Sequence, residues 1–395
     1  MNAIPVLVEK KESCCGCSAC YAICPMRAIT MVEDEKGFLY PNIDSKKCIA
    51  CGSCIKVCPI RNEDRKIENF HEPEVFAVKH KSVKVRMNSS SGGMFTAISD
   101  HIIDMNGVIY GAAFDKDFRV CHMGEITKTG RDKFQGSKYV QSDMENCFQE
   151  IKKSLLDGKS ILFSGTPCQV AGLNNCLSGV DISKLITVDN ICHGTPSPKI
   201  LRLYLENMKS RFNSNIKSLN FRYKPSGWRT QAIKISLENG QEYIEPGLED
   251  PYYRLFLHNI ILRDACYQCV FSNLHRTSDI TLGDFWGIEK SLPEYEDEIG
   301  VSIVLVNTDK GRKIFNSIIE NGVIDSKTSN IADCMQHNLK EPSIRSPKTE
   351  KFWADYQKRG FIYVLKKYGS PNWKREIKKI LEKLGIFNLM KKKYT

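Results

Sequence analysis

The 395-residue chain has no run of 18 or more apolar residues, so no segment is expected to span a membrane. Its opening, Met1-Asn2-Ala3-Ile4-Pro5, lacks a basic stretch followed by a long apolar core, which speaks against a secretory leader. It has neither an aromatic-interleaved basic sheet nor a zinc-finger pattern, so its net charge of +11 does not point to nucleic acid. That charge is concentrated: residues 351–395 hold 13 Lys/Arg against 3 Asp/Glu, leaving a balance of +1 for the rest. Such a tail suits an acidic partner or an anionic membrane surface. With 42% apolar and 26% charged residues the composition is that of a globular protein, long enough for two or three domains. What the chain has in excess is cysteine, 17 in all. Their spacing suggests metal rather than disulfides, hence a reducing, cytoplasmic setting.

Eight of these cysteines form two copies of one pattern. Cys14, Cys17, Cys20 and Cys24-Pro25 are repeated 34 positions later as Cys48, Cys51, Cys54 and Cys58-Pro59, each reading C-x2-C-x2-C-x3-C-P. This is the spacing of two-cluster bacterial ferredoxins, in which the fourth cysteine of each run reaches the other cluster. It assigns one 4Fe-4S cluster to Cys14, Cys17, Cys20 and Cys58, and the other to Cys48, Cys51, Cys54 and Cys24. A pair of four-cysteine zinc sites is the alternative, since C-x2-C also suits zinc. The doubled run closed by Pro favours iron–sulfur chemistry and electron transfer.

Around these runs the chain is expected to be α+β and α/β. A small two-cluster ferredoxin-like domain (1–65) precedes a larger mixed α/β domain (72–345) with an antiparallel insertion, and a basic helical tail (346–395) closes the chain. Val6-Leu7-Val8 reads as an opening strand, residues 28–41 as a hairpin, and 61–74 as a linker. Beyond it, Val75–Val78, Val108–Phe114, Ile161–Phe163, Leu185–Val188, Asp279–Asp284 and Val301–Val306 read as buried strands alternating with helices, implying parallel pairing. Residues 216–245 alternate around Asn239-Gly240 and read as antiparallel. In the tail, Trp373, Ile377, Ile380, Leu381 and Leu384 share one helix face, suited to docking on the domain or to an anionic membrane.

Four further cysteines, Cys168, Cys192, Cys266 and Cys269, sit after strands or in a close pair, where open α/β sheets place their binding crevice. Together they suit a third 4Fe-4S cluster or one zinc, while Cys168 and Cys192 also suit a plain core role. Cys15, Cys121, Cys147, Cys176 and Cys334 fit no ligand pattern and read as core or incidental thiols. Ser90-Ser91-Gly92-Gly93 before a helix is a phosphate cradle or an ordinary capped loop. Gly136-Ser137-Lys138-Tyr139 suits a nucleotide or flavin, or a surface loop. His193 is a proton shuttle or a structural loop histidine.

Residues 75–340 resemble the beta subunit of coenzyme F420 hydrogenase/dehydrogenase, a family that includes 7-hydroxymethyl chlorophyll a reductase. The resemblance rests on Ser90-Ser91-Gly92-Gly93, Gly136-Ser137-Lys138-Tyr139-Val140, Gly165-Thr166-Pro167-Cys168-Gln169, Cys192-His193-Gly194, Cys266-Tyr267-Gln268-Cys269 and Ser278–Gly287. It implies FAD and an iron–sulfur cluster, with Cys168, Cys192, Cys266 and Cys269 as ligands. The loops with Ser90, Ser91, Gly92, Gly93, Ser137, Lys138, Tyr139, Gly165 and Thr166 would hold FAD. The expected activity is an FAD- and iron–sulfur-dependent oxidoreductase acting on a small organic molecule and exchanging electrons with a redox partner protein or reduced carrier. The alternatives are a non-catalytic electron-transfer subunit docked on a larger enzyme, and a zinc-stabilised scaffold.

Overall fold

The computed structural model describes residues 4–62 and 69–371. Residues 63–68, within the expected linker, and the amphipathic segment from Trp373 lie outside the described residues.

The N-terminal module contains one antiparallel hairpin, β1 (Ile29–Glu33) and β2 (Leu39–Ile43), as the sequence predicts. The expected opening strand is not there. The Arg61 guanidinium donates to Val6 O at 3.0 Å and Leu7 O at 3.5 Å, and Lys11–Ser13 turns as a 3-10 helix. The carbonyls that a sheet edge would have used are thus partly engaged by a side chain.

The larger unit is built on β3 (Glu74–His80), β4 (Val108–Phe114), β5 (Val120–Glu125), β6 (Ile161–Gly165) and β7 (Leu185–Asn190). Then come the insertion strands β8 (Ile216–Tyr223), β9 (Ala232–Leu237) and β10 (Glu242–Pro246), and finally β11 (Ile280–Asp284), β12 (Ser302–Val306) and β13 (Ile324–Ser329). β10-β9-β8 form a separate antiparallel sheet, as predicted. The main sheet runs β13-β3-β12-β11-β7-β6-β4-β5. Its centre, β11-β7-β6-β4, is parallel, while its flanks are antiparallel, so the expected parallel pairing holds only where helices connect the strands.

Each sheet face buries an apolar layer. On one, Val78, Ile109, Leu162, Ile186 and Val304 meet Met94, Ile98, Phe315 and Ile318 from the helices Met94–Asp104 and Asp309–Glu320. On the other, Val108, Ile161, Phe163 and Leu185 meet Phe148, Ile151, Val170 and Leu173, and Cys17, Ala19 and Val57 of the N-terminal module join the same layer. A third core gathers the insertion with Tyr204, Tyr252 and Leu255, and takes in Phe352, Trp353, Val364 and Tyr368. Residues 349–369 are therefore helical, as expected, and packed.

The module sits close against the helix Pro167–Cys176. A Cβ at Gly172 would stand 3.0 Å from Cys17 Sγ, and one at Gly16 would lie 2.3 Å from Gln141 Nε2, so both positions require glycine for the approach. Cys176 Sγ donates to Ala19 O and Asn175 Nδ2 to Val57 O, closing the seam. Cys176, like buried Cys121, Cys147 and Cys334, is a packing thiol.

Candidate iron–sulfur and cofactor site

The two cysteine runs line two cavities, and the lining crosses between runs. Cys14, Cys17 and Cys20 face the first cavity together with Cys58. Cys48, Cys51 and Cys54 face the second together with Cys24. The crossing follows from geometry: the short helices Ala19–Ile23 and Ser53–Lys56 pack on one another and hand each terminal cysteine to the opposite loop. Backbone N–H groups point at sulfur, as at Ala28 N to Cys24 Sγ (3.3 Å) and Ala50 N to Cys48 Sγ (3.4 Å). Such donors are what cluster sulfurs and their thiolate ligands use. Among the described residues no group of three or more His, Cys, Asp or Glu is gathered tightly enough for a single metal ion. The runs enclose space.

In the larger unit, Cys168 follows β6 and Cys192 follows β7, at the C-terminal ends of adjacent parallel strands. Cys168 is the second residue of a helix fixed by Pro167 and by a capping box between Thr166 and Gln169. Cys266 and Cys269 come from the 3-10 turn at Asp264–Gln268 and its end, and all four thiols lie within electrostatic reach of one another. Thr195 N donates to Cys266 Sγ at 3.4 Å, and Thr166 Oγ1 lies 3.2 Å from Cys168 Sγ. Burial raises the Cys192 thiol well above its usual range and Cys266 to about 11. Four dry, adjacent thiols ionise only with a cationic partner, and the donor set fits an iron–sulfur cluster.

Sequence reasoning missed the residues that tie these sites together. Cys15, which fits no ligand pattern, lies in hydrogen-bonding contact with both Cys17 and Cys168. Arg263 is fully buried and donates to Cys14 O (2.7 Å), Cys14 Sγ (3.4 Å), Leu39 O (3.0 Å) and Gln141 Oε1 (2.9 Å), three residues before Cys266. Arg276 joins the Cys269 loop to the sheet through Phe271 O and Asp189 Oδ2, the latter a buried ion pair at 3.0 Å. The Ser278–Gly287 segment serves as framework. Asp279 Oδ2 accepts from Thr187 N and Oγ1, and its Oδ1 accepts from Thr308 Oγ1, each at 2.8 Å.

The parallel strands end at a crevice of about 2340 Å³, counting its open mouth. Ser90, Ser91, Gly93, Ser137, Lys138, Tyr139, Gly165 and Thr166 all lie on its wall, with Cys192, His193, Arg222 and Asp284. Gly92 is set behind the wall, where a Cβ would stand 2.1 Å from Val78 O. Ser90 Oγ accepts from Ser137 N at 2.8 Å, joining the two loops, while Ser91 Oγ donates to Val301 O. Lys138 Nζ donates to Lys133 O and Gln135 O, and burial pushes its pKa down to about 7. Arg222 of β8 crosses the wall, donating to Asp284 Oδ2 (2.6 Å), Tyr139 Oη (3.1 Å) and Ser90 O (2.9 Å). His193 Nε2 lies 2.7 Å from Asn259 Oδ1, which fits the structural reading of that histidine. His122, on the same wall, donates from Nε2 to Ser164 O, and its buried Nδ1 has no partner among the described residues. With the helix N-terminus at Gly93, this lining fits a phosphate-bearing aromatic cofactor.

These features define an iron–sulfur redox protein in which a two-cluster module is packed into the side of an α/β domain. Residues 13–62 match the family model of the 4Fe-4S dicluster domain. Residues 158–331 match the family model for the C terminus of the coenzyme F420 hydrogenase/dehydrogenase beta subunit. The chain thus joins a 4Fe-4S dicluster domain to the C-terminal domain of that beta-subunit family, as its motifs led us to expect. No curated protein matches it. Among solved structures, a chain of the F420-reducing NiFe hydrogenase complex from Methanosarcina barkeri aligns with 17% identity and a TM-score of 0.47, covering 76% of this chain and 93% of that one. Among the described residues no helix is long and apolar enough to cross a membrane.

Proposed function

We propose that the chain is an iron–sulfur flavoprotein oxidoreductase that passes electrons between a redox partner and a small organic substrate through FAD. The supporting observation is continuity. Cys54 lines both module cavities, Cys15 of the first run touches Cys168, and Cys192 stands on the crevice wall. An unbroken line of sulfur sites therefore leads from Cys51, the exposed ligand candidate, to the crevice.

In this reading Cys14, Cys17, Cys20 and Cys58 hold one 4Fe-4S cluster, Cys48, Cys51, Cys54 and Cys24 a second, and Cys168, Cys192, Cys266 and Cys269 a third. When bound, the clusters supply one-electron steps and FAD combines them into a pair. The protein's own part is binding and orientation. Ser90, Ser137 and the helix N-terminus at Gly93 receive the cofactor's phosphates, Gly165 and Thr166 bring the backbone close beside Cys168, and Lys138 supplies a donor. Tyr139, stacked on Phe256 at 4.8 Å and held by Arg222, gives a rigid aromatic wall. The apolar layers behind the crevice exclude water from the relay.

Absorption and metal analysis of the anaerobically purified chain test this. The expected result is a flavin band over a broad iron–sulfur shoulder, with ~12 irons per chain for three four-iron clusters. Clusters without flavin would turn the reading into an electron-transfer subunit docked on a larger enzyme. A colourless zinc protein would end it.

A further inference from the structure

We propose that the face around Cys51 is a docking surface for an acidic one-electron carrier protein; the proposal rests on the cluster reading above. The other side of the module is closed. There Cys17 is buried against the helix Pro167–Cys176, and Cys14 is covered by Arg263. The second run faces outward. Cys51 is exposed, and a Cβ on neighbouring Gly52 would meet nothing within 4 Å.

The surface there has the make-up of a transient interface, an apolar centre within a charged rim. Ile49 is 61% exposed and Met26 46%, and both border the second-run cavity with Pro5. Side chains of this kind left in water beside a cofactor site mark an interaction surface. Residues 24–28 and 44–58 hold four basic residues, Arg27, Lys46, Lys47 and Lys56, against one acid, Asp44, and all four basic side chains are exposed. Lys47 pairs with Asp44 at 3.4 Å, while Arg27, Lys46 and Lys56 form no ion pair among the described residues. Free cations around an apolar centre select an acidic partner and speed its encounter. A docked carrier gives up one electron and is oxidised, and the second-run site is reduced by that electron. No bond is made and no proton moves.

The test uses the full chain and a redox-inert probe, an acidic two-iron ferredoxin with gallium in place of iron, titrated at low ionic strength. The triple variant Lys46→Glu/Lys47→Glu/Lys56→Glu is expected to bind it at least about tenfold more weakly, or ~1.4 kcal/mol. Its iron content should be unchanged, and its reduction by methyl viologen radical should not be slowed. Lys217→Glu, on the antiparallel insertion, should leave binding as it was. Equal binding by the triple variant and the parent overturns the proposal, and so does an equal loss in Lys217→Glu, which would mark a net-charge effect. A parent chain without iron at the second run, read separately by metal analysis and EPR, would overturn the cluster reading itself.

Discussion

Arg263 offers the sharpest test of how the module and the larger domain are coupled. Its guanidinium is fully buried and has no carboxylate ion pair among the described residues. Its surroundings are Cys14 Sγ and the carbonyls of Cys14 and Leu39, with the Tyr40 ring 4.1 Å away. A buried cation of this kind is tolerated when an anion stands beside it, and here that anion is the thiolate-ligated cluster. Removing the charge should destabilise the reduced, more negative state and lower the midpoint potential of the first-run cluster. At an effective dielectric of ~20 and a separation of ~7 Å, the lost attraction is ~2.4 kcal/mol, or ~100 mV for one electron. The third site should shift the same way by less, since Cys266 also lies within the field of Arg263, and the second run least of all.

EPR-monitored redox titration of Arg263→Met reads this directly, with the second-run signal as internal reference. The methionine also leaves Leu39 O and Cys14 O without their donor, at a cost of ~3–5 kcal/mol, so some loosening is expected. Arg263→Lys separates charge from geometry. It keeps the cation but cannot make the four-way contact, and should shift the potential much less. An unchanged first-run potential in a methionine variant that still shows both signals would refute the argument. Equal shifts in the two variants would assign the effect to geometry.

Cys24→Ser should abolish the second-run EPR signal and spare the first, because Cys24 lines the cavity of Cys48, Cys51 and Cys54; loss of the first signal alone would reverse the pairing. Cys269→Ser should lower the iron content by ~4 per chain, whereas Cys176→Ser, at the seam with Ala19, should leave it unchanged. His122 is buried and its pKa is pushed down to about 4 by desolvation, against 6.5 unfolded. The unfolded chain binds the extra proton between these values, so His122 should cost up to ~3 kcal/mol of stability as pH falls through that window. Denaturant midpoints of parent and His122→Gln should therefore converge toward pH 4; parallel profiles would show that His122 titrates normally.

The parts of the site that were legible in the sequence are those fixed by local spacing. Two runs within 45 residues specify their own loops, and Cys168 and Cys192 could be placed because apolar strands deliver the next residues to a crevice. The arginines could not be placed this way. Arg222 arrives from the antiparallel insertion, Arg263 from a turn and Arg276 from a loop, and each acquires its role only when distant chain segments are packed against it. Val6-Leu7-Val8 misled for the opposite reason: a local pattern fit for a strand was satisfied by a guanidinium from position 61.

Cys15 shows how far an internal repeat can be read. The 34-residue offset pairs it with Ile49, Gly16 with Ala50, and Ser18 with Gly52. The backbone keeps the repeat: φ is +73° at Gly16 and +54° at Ala50, +61° at Ser18 and +73° at Gly52. Side-chain identity departs from it where the surroundings differ. Cys15 lies against Cys168, whereas Ile49 is open to solvent. Gly16 must be glycine because Gln141 and Arg263 close over it, while Ala50 tolerates its methyl group. One loop is therefore written for an interior and the other for a surface. The departures from the repeat, rather than the repeat itself, record which cluster faces the crevice and which faces the partner.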